Sequence, residues 1–456
     1  MTLERINALR SHFESGRTRD LTGRLSALRK LRSAIVRNEE ALLAAMHADM
    51  RKPRFEAYLS DIGLVLATID KAIAKLREWA APVAVPTPLA LQVAESSIHR
   101  EPLGVILVIA PWNYPVLLLL SPLVGAIAAG NCVVLKPSEE VSNTSAEVER
   151  IIAEAFDPAH VCVAQGPGHE VVPALMQGFR FDHVFFTGSG PVGRQVLAQA
   201  APHLVPVTLE LGGKSPAIVD RSADVKVAAK RIAWSKFFNA GQTCIATDHA
   251  LVHASVMDEF VDHLTHWVKN AFGDDPQRSP SFARLVNDRR LSVVRSYLDQ
   301  GRAILGGQSD ANDRYIAPTV LLDVPLDAPV MREEIFGPVL PVIPWTEREE
   351  AIAITRRNPF PLASYLFSSD RDMPGWFMER IPSGSTCINH CMLHFGDPYL
   401  PFGGVGASGM GRYHGRYTFD LFSHQRAVVR ASTFIDHGLQ EPPYTAMKEW
   451  VLRRVL

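Results

Sequence analysis

Residues 101–136 read EPLGVILVIAPWNYPVLLLLSPLVGAIAAGNCVVLK, with no charged side chain between Glu101 and Lys136. The length of this apolar stretch alone would suit a transmembrane helix. Residues that break or punctuate helices interrupt it at Pro111, Asn113, Pro115, Pro122, Gly125 and Asn131. Because these interruptions divide the stretch into short pieces, we favour elements of a buried core over a membrane span.

The pieces form a strand–helix–strand unit. We predict a buried strand at Val105–Ala110, a turn at Pro111–Pro115, a buried helix at Val116–Ala129 and a second strand at Cys132–Leu135. Strands that are apolar on both faces are typical of a parallel sheet covered by helices on both sides. Apolar strands continue to alternate with helical stretches as far as residue 209, which predicts an α/β fold with a doubly wound, nucleotide-binding sheet.

The sequence before residue 101 and after residue 209 predicts further structural elements. Residues 1–80 are predicted to be helical, with one apolar stripe formed by Leu21, Leu25, Leu28, Leu31 and Ile35. The basic residues among them, from Arg24 to Arg37, are expected to form a solvated outer face. Residues 89–100 are predicted to form an extended arm or hairpin. A second α/β pattern follows from residue 210 to about 381, and residues 382–424 are rich in glycine and aromatic residues.

Composition excludes several classes of protein. The chain has 456 residues, 47% of them hydrophobic, and a net charge of −1, which is ordinary for a soluble enzyme and does not suggest nucleic-acid binding. The five cysteines are scattered and odd in number, so we expect a reducing, cytoplasmic location. The first residues lack the apolar segment of a secretory signal.

A thiol and a carboxylate are the strongest chemical signals. Cys244 ends the segment FFNAGQTC at residues 237–244, and Glu210 lies in LELGGK at residues 209–214. Both segments carry glycines. A sulfur nucleophile and a base that activates it, or that activates water, fit a covalent mechanism.

A glycine-rich segment predicts a phosphate-binding turn. Residues 185–193 read FFTGSGPVG, in which Gly188, Gly190 and Gly193 follow an apolar strand as G-x-G-x-x-G. Such glycines let a dinucleotide approach the N-terminus of a helix. The generic fingerprint also requires an acidic residue about 20 positions later for the ribose, a place that Glu210 would fill.

Together these segments resemble the aldehyde dehydrogenases, over approximately residues 10–445. The resemblance is closest to the class 3 type, which acts on medium-chain, fatty or aromatic aldehydes and includes coniferyl aldehyde dehydrogenases. It also rests on PWNYP at 111–115, KPSE at 136–139, EIFGP at 334–338 and LPFGGVGASGMG at 400–411. The resemblance implies a Rossmann-like cofactor domain at 1–82 and 102–209 and an α/β catalytic domain at 210–385. It further implies a β-rich oligomerisation arm at 83–101 and 386–424, a C-terminal tail at 425–456, and a homodimer.

The family's motifs imply roles for particular residues. Cys244 would attack the aldehyde to give a thiohemiacetal, its own backbone N–H and Asn113 would hold the oxyanion, and Glu210 would activate the water that hydrolyses the thioester. Lys136 and Glu334 would hold the ribose in place of Glu210. The residues assigned to the cofactor are Trp112, Lys136, Glu139, Gly188, Ser189, Gly190, Gly193, Glu334 and Phe336. The Glu139 carboxylate argues for NAD over NADP, although relatives with this turn can use both.

The chain departs from the family pattern at three places. Gly190 stands where Thr is usual, Thr247-Asp248-His249 replaces Pro-Asp-Tyr, and residues 389–392 replace a frequent Asn-Asp pair. The last departure puts the substrate range in doubt. A nearby cluster of thiols and imidazoles could bind zinc: Cys387, His390, Cys391 and His394. It lacks a C-x-x-C pair and the family has no metal there, so we predict no metal site.

Two other functions remain alternatives. A CoA-acylating relative would pass the acyl group to CoA instead of water, but such enzymes often lack the glutamate found here as Glu210. A non-catalytic, crystallin-like protein would not need Cys244, Glu210 and Asn113. The tail lacks the hydrophobic helix that attaches some class 3 relatives to membranes, so we predict no membrane partner. Trp112, Tyr114, Trp234 and Phe238 could form an apolar path for the aldehyde.

Overall fold

The structure, a computed structural model, describes residues 3–435 and 438–456. Residues 1 and 2 of the predicted cofactor domain, and residues 436 and 437 of the predicted tail, therefore lie outside the described residues. The described chain begins with helices α1 (Leu3–Glu14), α2 (Leu21–Arg37), α3 (Glu39–Met50), α4 (Arg54–Ala57) and α5 (Gly63–Ala80). A π-helical turn at Tyr58–Ile62 joins α4 directly to α5.

Helix α2 buries the apolar stripe that its sequence predicts, but it also buries one of its basic residues. Leu25, Leu28, Leu31 and Ile35 are buried in the core, as the apolar stripe predicts. Arg24, which we expected on the solvated face, is instead buried at 8% exposure. Its guanidinium donates to the carbonyl oxygens of Thr18, Arg19 and Ala128, which replace water as its partners. That expectation was wrong because charge alone does not show which carbonyls lie within reach.

The first sheet is doubly wound. Two strands, β1 (Val83–Val85) and β2 (Ala94–Pro102), precede it and pair antiparallel. The sheet region then contains β3 (Val105–Ile109), α6 (Leu117–Ala129), β4 (Cys132–Lys136), α7 (Ser142–Ala155), β5 (Val161–Val163), α8 (Gly168–Gly178), β6 (His183–Thr187), α9 (Gly190–Ala200) and β7 (Val207–Glu210). These strands are all parallel in the order β7-β6-β3-β4-β5. The winding direction therefore changes between β3 and β6.

The stretch at 101–136 folds as its punctuation predicts. Strands β3 and β4 are buried along their whole length and pair in parallel with Val105 opposite Cys132. Helix α6 between them is also buried throughout. It ends at Gly130, whose φ of 93° lies in the left-handed region that glycine favours. The charge-free composition follows from burial on every side within the protein.

A second, mostly parallel sheet follows. Its region contains β8 (Pro216–Val219), α10 (Val225–Phe237), β9 (His249–His253), α11 (Met257–Phe272), α12 (Asp288–Arg295), β10 (Arg302–Leu305), β11 (Ser309–Asp310), β12 (Tyr315–Ile316), β13 (Thr319–Leu322), α13 (Pro329–Arg332), β14 (Val339–Trp345), α14 (Arg348–Thr355), β15 (Ala363–Phe367), α15 (Met373–Arg380) and β16 (Ser385–Ile388). The strand order is β10-β13-β14-β9-β8-β15-β16, with only the edge strand β10 antiparallel.

The last segment returns to the earlier parts. It contains β17 (Gly409–Met410), α16 (Arg416–Leu421), β18 (Ser423–Ala431) and α17 (Ala446–Val455). Strand β17 pairs antiparallel with β7, and β18 pairs with β2 along its whole length. The β18 strand runs across residue 424, where we placed the division between arm and tail. In the described part of the chain, no helix combines the length and apolar character needed to cross a bilayer.

Candidate active site

Several predicted site residues lie at the carboxyl ends of the first sheet's strands, whereas Cys244, Glu334 and Phe336 come from the second α/β region. Trp112 and Asn113 follow β3, Gly188 follows β6, and Glu210 is the last residue of β7. In open α/β sheets, ligands bind outside these strand ends at the point where the winding reverses. A cavity of about 390 Å³ opens at this point. The predicted residues in its wall are Trp112, Asn113, Gly188, Ser189, Glu210, Cys244, Glu334 and Phe336.

Four residues predicted for the cofactor do not line this cavity: Lys136, Glu139, Gly190 and Gly193. The buried Lys136 ammonium group donates to the Pro137 carbonyl and to Glu139 Oε2, 3.1 Å away. Glu139 Oε1 accepts the Gly168 N–H at the start of α8 at 2.7 Å. Although burial opposes ionisation, the Gly168 N–H and Lys136 keep the pKa of Glu139 below its ordinary value. Glu139 is therefore a fixed negative charge at this edge of the site.

Two glycines of the predicted turn are required by close packing. A Cβ on Gly193 would lie 2.8 Å from Leu211 Cδ2, and one on Gly188 would lie 2.6 Å from the Phe186 ring. Gly193 thus lets α9 approach β7. Gly190, the departure from the family pattern, faces open space, since its Cβ would meet only Arg194 Nη1 at 3.9 Å. Space at Gly190 would therefore accommodate a side chain.

The loop before Cys244 is rigidly held. Helix α10 ends at Phe237, and Asn239 and Ala240 then adopt left-handed backbone angles with φ of 52° and 51°. The Gln242 side chain donates to the carbonyls of Asn239 and Arg284, both at 3.0 Å. Such strained residues persist only where the surroundings hold them in place. These contacts present the Cys244 thiol, which is half-buried, to the cavity.

The cavity favours neutral forms of its thiol and carboxyl groups. Burial, with the charges of Glu334 and Glu210, raises the pKa of the Cys244 thiol. Burial also raises the pKa of Glu210 well above its ordinary value. Both Glu210 carboxyl oxygens lack a hydrogen-bond partner among the described residues. The thiol therefore needs a proton acceptor to become a nucleophile, and Glu210 is free to take or give a proton.

Asn113 is poised to donate a hydrogen bond. Its side chain is buried, and Nδ2 donates one N–H to the Gln242 carbonyl at 3.0 Å. A side-chain amide carries two N–H donors, so one remains for an atom near Cys244. Asn113 and Cys244 share the wall of the cavity. The arrangement can stabilise negative charge on an oxygen beside the thiol.

A buried ion pair holds the segment that carries Glu334. Lys214 contacts Asp248 and donates to the carbonyls of Val330 and Glu333, both at 2.8 Å. Asp248 accepts the Ile335 N–H at 2.9 Å. Burial raises the pKa of Glu334 to about 7. Neither Lys214 nor Asp248 was among the predicted site residues, although Lys214 ends the LELGGK segment and Asp248 lies in the departure Thr247-Asp248-His249.

Aromatic rings form the opposite wall. Trp112 packs edge-to-face against Phe336 with ring centroids 5.3 Å apart. The Arg290 guanidinium lies 5.9 Å from the Phe336 ring and donates to the Phe336 carbonyl at 3.2 Å. Trp112 and Phe336 therefore give this cavity an aromatic part of its wall, against which a flat ring could pack.

A second, apolar cavity of about 320 Å³ meets Cys244 from another side. Tyr114, Trp234 and Phe238, predicted as an apolar path, lie in its wall, whereas Trp112 lies in the first cavity. Met392, from the departure at 389–392, also lies in this wall. The apolar wall residues that sequence reasoning missed include Leu59, Leu64, Leu117, Leu118, Ile245, Leu393 and Phe395. They come from separate segments, so no spacing along the chain could indicate them. Cys244 thus lines two cavities, one with a mixed polar and apolar wall and one with a mainly apolar wall.

The remaining departures and the neighbouring cluster of thiols and imidazoles contact one another. The Thr247 hydroxyl lies 3.6 Å from Cys391 Sγ, and Cys387 Sγ lies 3.0 Å from His394 Nδ1. The His390 ring instead contacts its neighbour, with Nδ1 2.7 Å from the Cys391 carbonyl oxygen. Within residues 3–435 and 438–456, no group of three or more His, Cys, Asp or Glu side chains could hold a metal ion.

Comparisons of the sequence and of the structure with known proteins indicate the same family over most of the chain. The profile of the aldehyde dehydrogenase family matches residues 4–428. The chain is 43% identical to the 4,4'-diaponeurosporen-aldehyde dehydrogenase of Staphylococcus aureus, over 97% of this chain and 96% of that protein. It is 44% identical to human aldehyde dehydrogenase family 3 member B1, over 96% of this chain and 94% of that protein. A solved structure described as the substrate-bound state of Staphylococcus aureus AldH superposes with a TM-score of 0.97 at 42% identity, covering 99% of both chains.

Proposed function

Because this chain belongs to the aldehyde dehydrogenase family, we propose that it oxidises aliphatic or aromatic aldehydes to carboxylic acids through a thioester on Cys244. The family membership, the fold and the class of enzyme that the sequence predicts are confirmed by these similarities. The observation that carries the proposed mechanism is the position of Cys244 in the walls of both cavities. An apolar aldehyde could reach the thiol from one side while a cofactor lies on the other.

The proposed steps use the groups around Cys244. Proton transfer from the thiol to Glu210, directly or through water, gives the thiolate that attacks the aldehyde carbon. The Asn113 amide and the Cys244 backbone N–H then hold the oxygen of the thiohemiacetal, an arrangement typically worth about 100- to 1000-fold in rate per donor. Loss of hydride leaves a thioester. Once Glu210 has passed the thiol's proton to solvent, it accepts a proton from the water that attacks the thioester carbonyl. The departing thiolate takes that proton back, so the acid and the free thiol are released.

The cofactor that we propose is NAD, with NADP as the second candidate. It would supply the hydride acceptor when bound. The cavity fits such a group because Thr187 Oγ1 and Glu334 Oε1 are buried in its wall without a hydrogen-bond partner in the described part of the chain. The N-terminus of α9 would face the phosphates. Related structures are described in complex with NAD+ and with NADP.

The substrate class that we propose is medium- to long-chain aliphatic or aromatic. The walls of the second cavity are almost entirely aliphatic and aromatic side chains, so they gain by removing apolar surface from water. A relative is named for a 4,4'-diaponeurosporen aldehyde. The division into domains, the homodimer and the cytoplasmic location stay predictions.

The test is NADH formation from NAD with hexanal or benzaldehyde, in the absence of CoA. We expect turnover by the wild type, loss of turnover in Cys244→Ala, and full turnover in the matched control Cys162→Ala, a buried cysteine of β5. Glu210→Gln should lose steady-state turnover, because both the Cys244 thiol and the attacking water lose their proton acceptor.

Three other outcomes of this assay would each contradict part of the proposed function. Turnover that requires CoA and yields acyl-CoA would replace hydrolysis with CoA acylation. Equal turnover by wild type and Cys244→Ala would contradict the covalent mechanism. Absence of turnover with NAD and NADP across both aldehydes, with and without CoA, would favour a non-catalytic protein.

A further inference from the structure

A buried ion pair lies behind the candidate active site. Lys52 Nζ is 2.6 Å from Asp61 Oδ2, and both side chains are 0% exposed. Neither residue lines either cavity that meets Cys244. Lys52 follows helix α3, and Asp61 belongs to the π-helical turn between α4 and α5. None of the sequence motifs includes them.

The pair contacts the turn that carries Asn113 at its middle and at its junction with α6. Lys52 Nζ donates to the Asn113 backbone carbonyl at 3.2 Å and lies 4.1 Å from the centre of the Tyr114 ring. Asp61 Oδ1 accepts the N–H groups of Val116 and Leu117, both at 3.1 Å. These are N–H groups at the start of α6, which have no partner within the helix. The ion pair therefore joins the turn to the helix that follows it.

Stability alone does not account for such a pair. Removing two charges from water costs several kcal/mol per ion, and apolar residues of similar volume are often equally stabilising. The π-helical geometry at Tyr58–Ile62 is itself rare and frequently marks functional sites. Leu59 and Ser60 of the same turn line the apolar cavity. The turn thus faces the substrate path on one side and holds the Asn113 segment on the other.

We infer that Lys52 and Asp61 are positioning residues that hold the Asn113 amide in its place beside Cys244. The inference rests on the proposed function for its catalytic consequence. The Lys52 hydrogen bond fixes the backbone of Asn113 itself, and Asp61 fixes the start of α6 just beyond it, so the Asn113 side chain keeps one direction. The second N–H of the Asn113 amide can then donate to the thiohemiacetal oxygen without a change in the direction of the side chain.

A second contact limits the size of the effect. Asn239 Nδ2 also donates to the Asn113 carbonyl at 3.0 Å, and the Asn239 N–H is held by Glu56. Loss of Lys52 therefore loosens Asn113 without releasing it. Because a displacement of about 1 Å can cost on the order of 100-fold, we expect kcat to fall about 10- to 100-fold.

The test uses the double variant Lys52→Met/Asp61→Asn. A single substitution would leave one charge buried and unpaired, whereas the double variant removes both charges and keeps an amide oxygen at position 61 as an acceptor for α6. We expect lower kcat with KM for NAD and aldehyde unchanged. In an Asn113→Ala background, the same double substitution should change kcat by less than about 3-fold, because coupled residues are not additive.

The matched control is Arg10→Met/Asp182→Asn. Arg10 Nη1 pairs with Asp182 Oδ2 at 2.7 Å, and Asp182 accepts the Val105 N–H at the start of β3, far from the strand ends that form the site. This variant should lose stability and keep kcat. An equal loss of kcat in the wild-type and Asn113→Ala backgrounds would overturn the inference, as would an unchanged kcat in the Lys52→Met/Asp61→Asn variant.

Hydrogen–deuterium exchange gives a readout that does not depend on turnover. Peptides covering residues 111–120 should exchange faster in Lys52→Met/Asp61→Asn than in the wild type, and at the wild-type rate in the Arg10→Met/Asp182→Asn control. Unchanged exchange in 111–120 would overturn the positioning role even if the enzyme turns over. If the wild type oxidises no aldehyde, the proposed function fails, and the exchange result still decides whether the pair holds the turn.

Discussion

Lengthening the aldehyde from butanal to octanal should raise kcat/KM about 200-fold. The cavity of about 320 Å³ beside Cys244 is walled by leucine, aromatic and methionine side chains. Each methylene moved from water into such surroundings gains about 0.8 kcal/mol. Four methylenes gain about 3.2 kcal/mol, and each 1.4 kcal/mol is a factor of ten in binding.

The assay is initial-rate NADH formation at saturating NAD, with butanal, hexanal and octanal compared in wild type and Trp234→Gln. Trp234 is half-buried and packs against Phe238, with ring centroids 5.6 Å apart, in the wall of the apolar cavity. Its replacement by a polar side chain should flatten the dependence on chain length and leave butanal almost unaffected. Trp376→Gln is the matched control, since Trp376 packs between Arg348 and Arg380 outside this cavity.

A kcat/KM that is constant from butanal to octanal would refute the reasoning, because it would show that the chain stays in water. A normal increase in Trp234→Gln would show that the methylenes are buried elsewhere.

Further predictions concern pH, cofactor choice and stability. Because burial raises the pKa of Glu210, its base form is lost as pH falls, so kcat should decline below a raised pKa, and the residual turnover of Glu210→Gln should lack that acid limb. Glu139→Gln should raise the kcat/KM ratio of NADP to NAD roughly 10-fold by removing repulsion of a 2′-phosphate; an unchanged ratio would place that phosphate away from Glu139. Burial lowers the pKa of His183 from 6.5 to about 4, so the unfolded state binds a proton that the folded state excludes. The stability lost as pH falls from 6.5 towards 4 should therefore be smaller in His183→Gln, by up to about 1.4 kcal/mol per pH unit in urea unfolding. Gly130→Ala should destabilise by more than about 1 kcal/mol in the same assay, because φ is 93° and the new Cβ would lie 2.6 Å from Arg24 Nη2; wild-type stability would contradict the left-handed geometry.

The fold was largely predictable because its signals are local. The predicted strand at Val105–Ala110 is found at Val105–Ile109, and the predicted helix at Val116–Ala129 begins one residue later. Apolar runs and their interruptions depend on neighbouring residues alone, so they can be read along the chain. Arg24 shows the limit of this reading, since its three carbonyl partners include Ala128 from a different helix.

The residues of the candidate site were also predictable where they belong to a local motif. Cys244, Glu210 and Asn113 each lie in a short motif, and the structure brings all three into one cavity wall. Their catalytic roles stay predictions until the variants are measured. The generic ribose role for Glu210 depended on spacing alone, and in the structure Glu210 lines the cavity together with the thiol.

The sequence by itself determined the α/β class, the family and the reactive groups, because each is encoded in contiguous residues whose chemistry or periodicity is local. Only the tertiary structure decided what surrounds those groups. The apolar cavity gathers Leu59, Leu118, Trp234 and Phe395 from distant segments, and the Lys52–Asp61 pair reaches the Asn113 turn across more than fifty positions of the chain. Burial, the loss of water around a charge and the direction of a side chain arise only when such segments meet, so no pattern along the chain could show them.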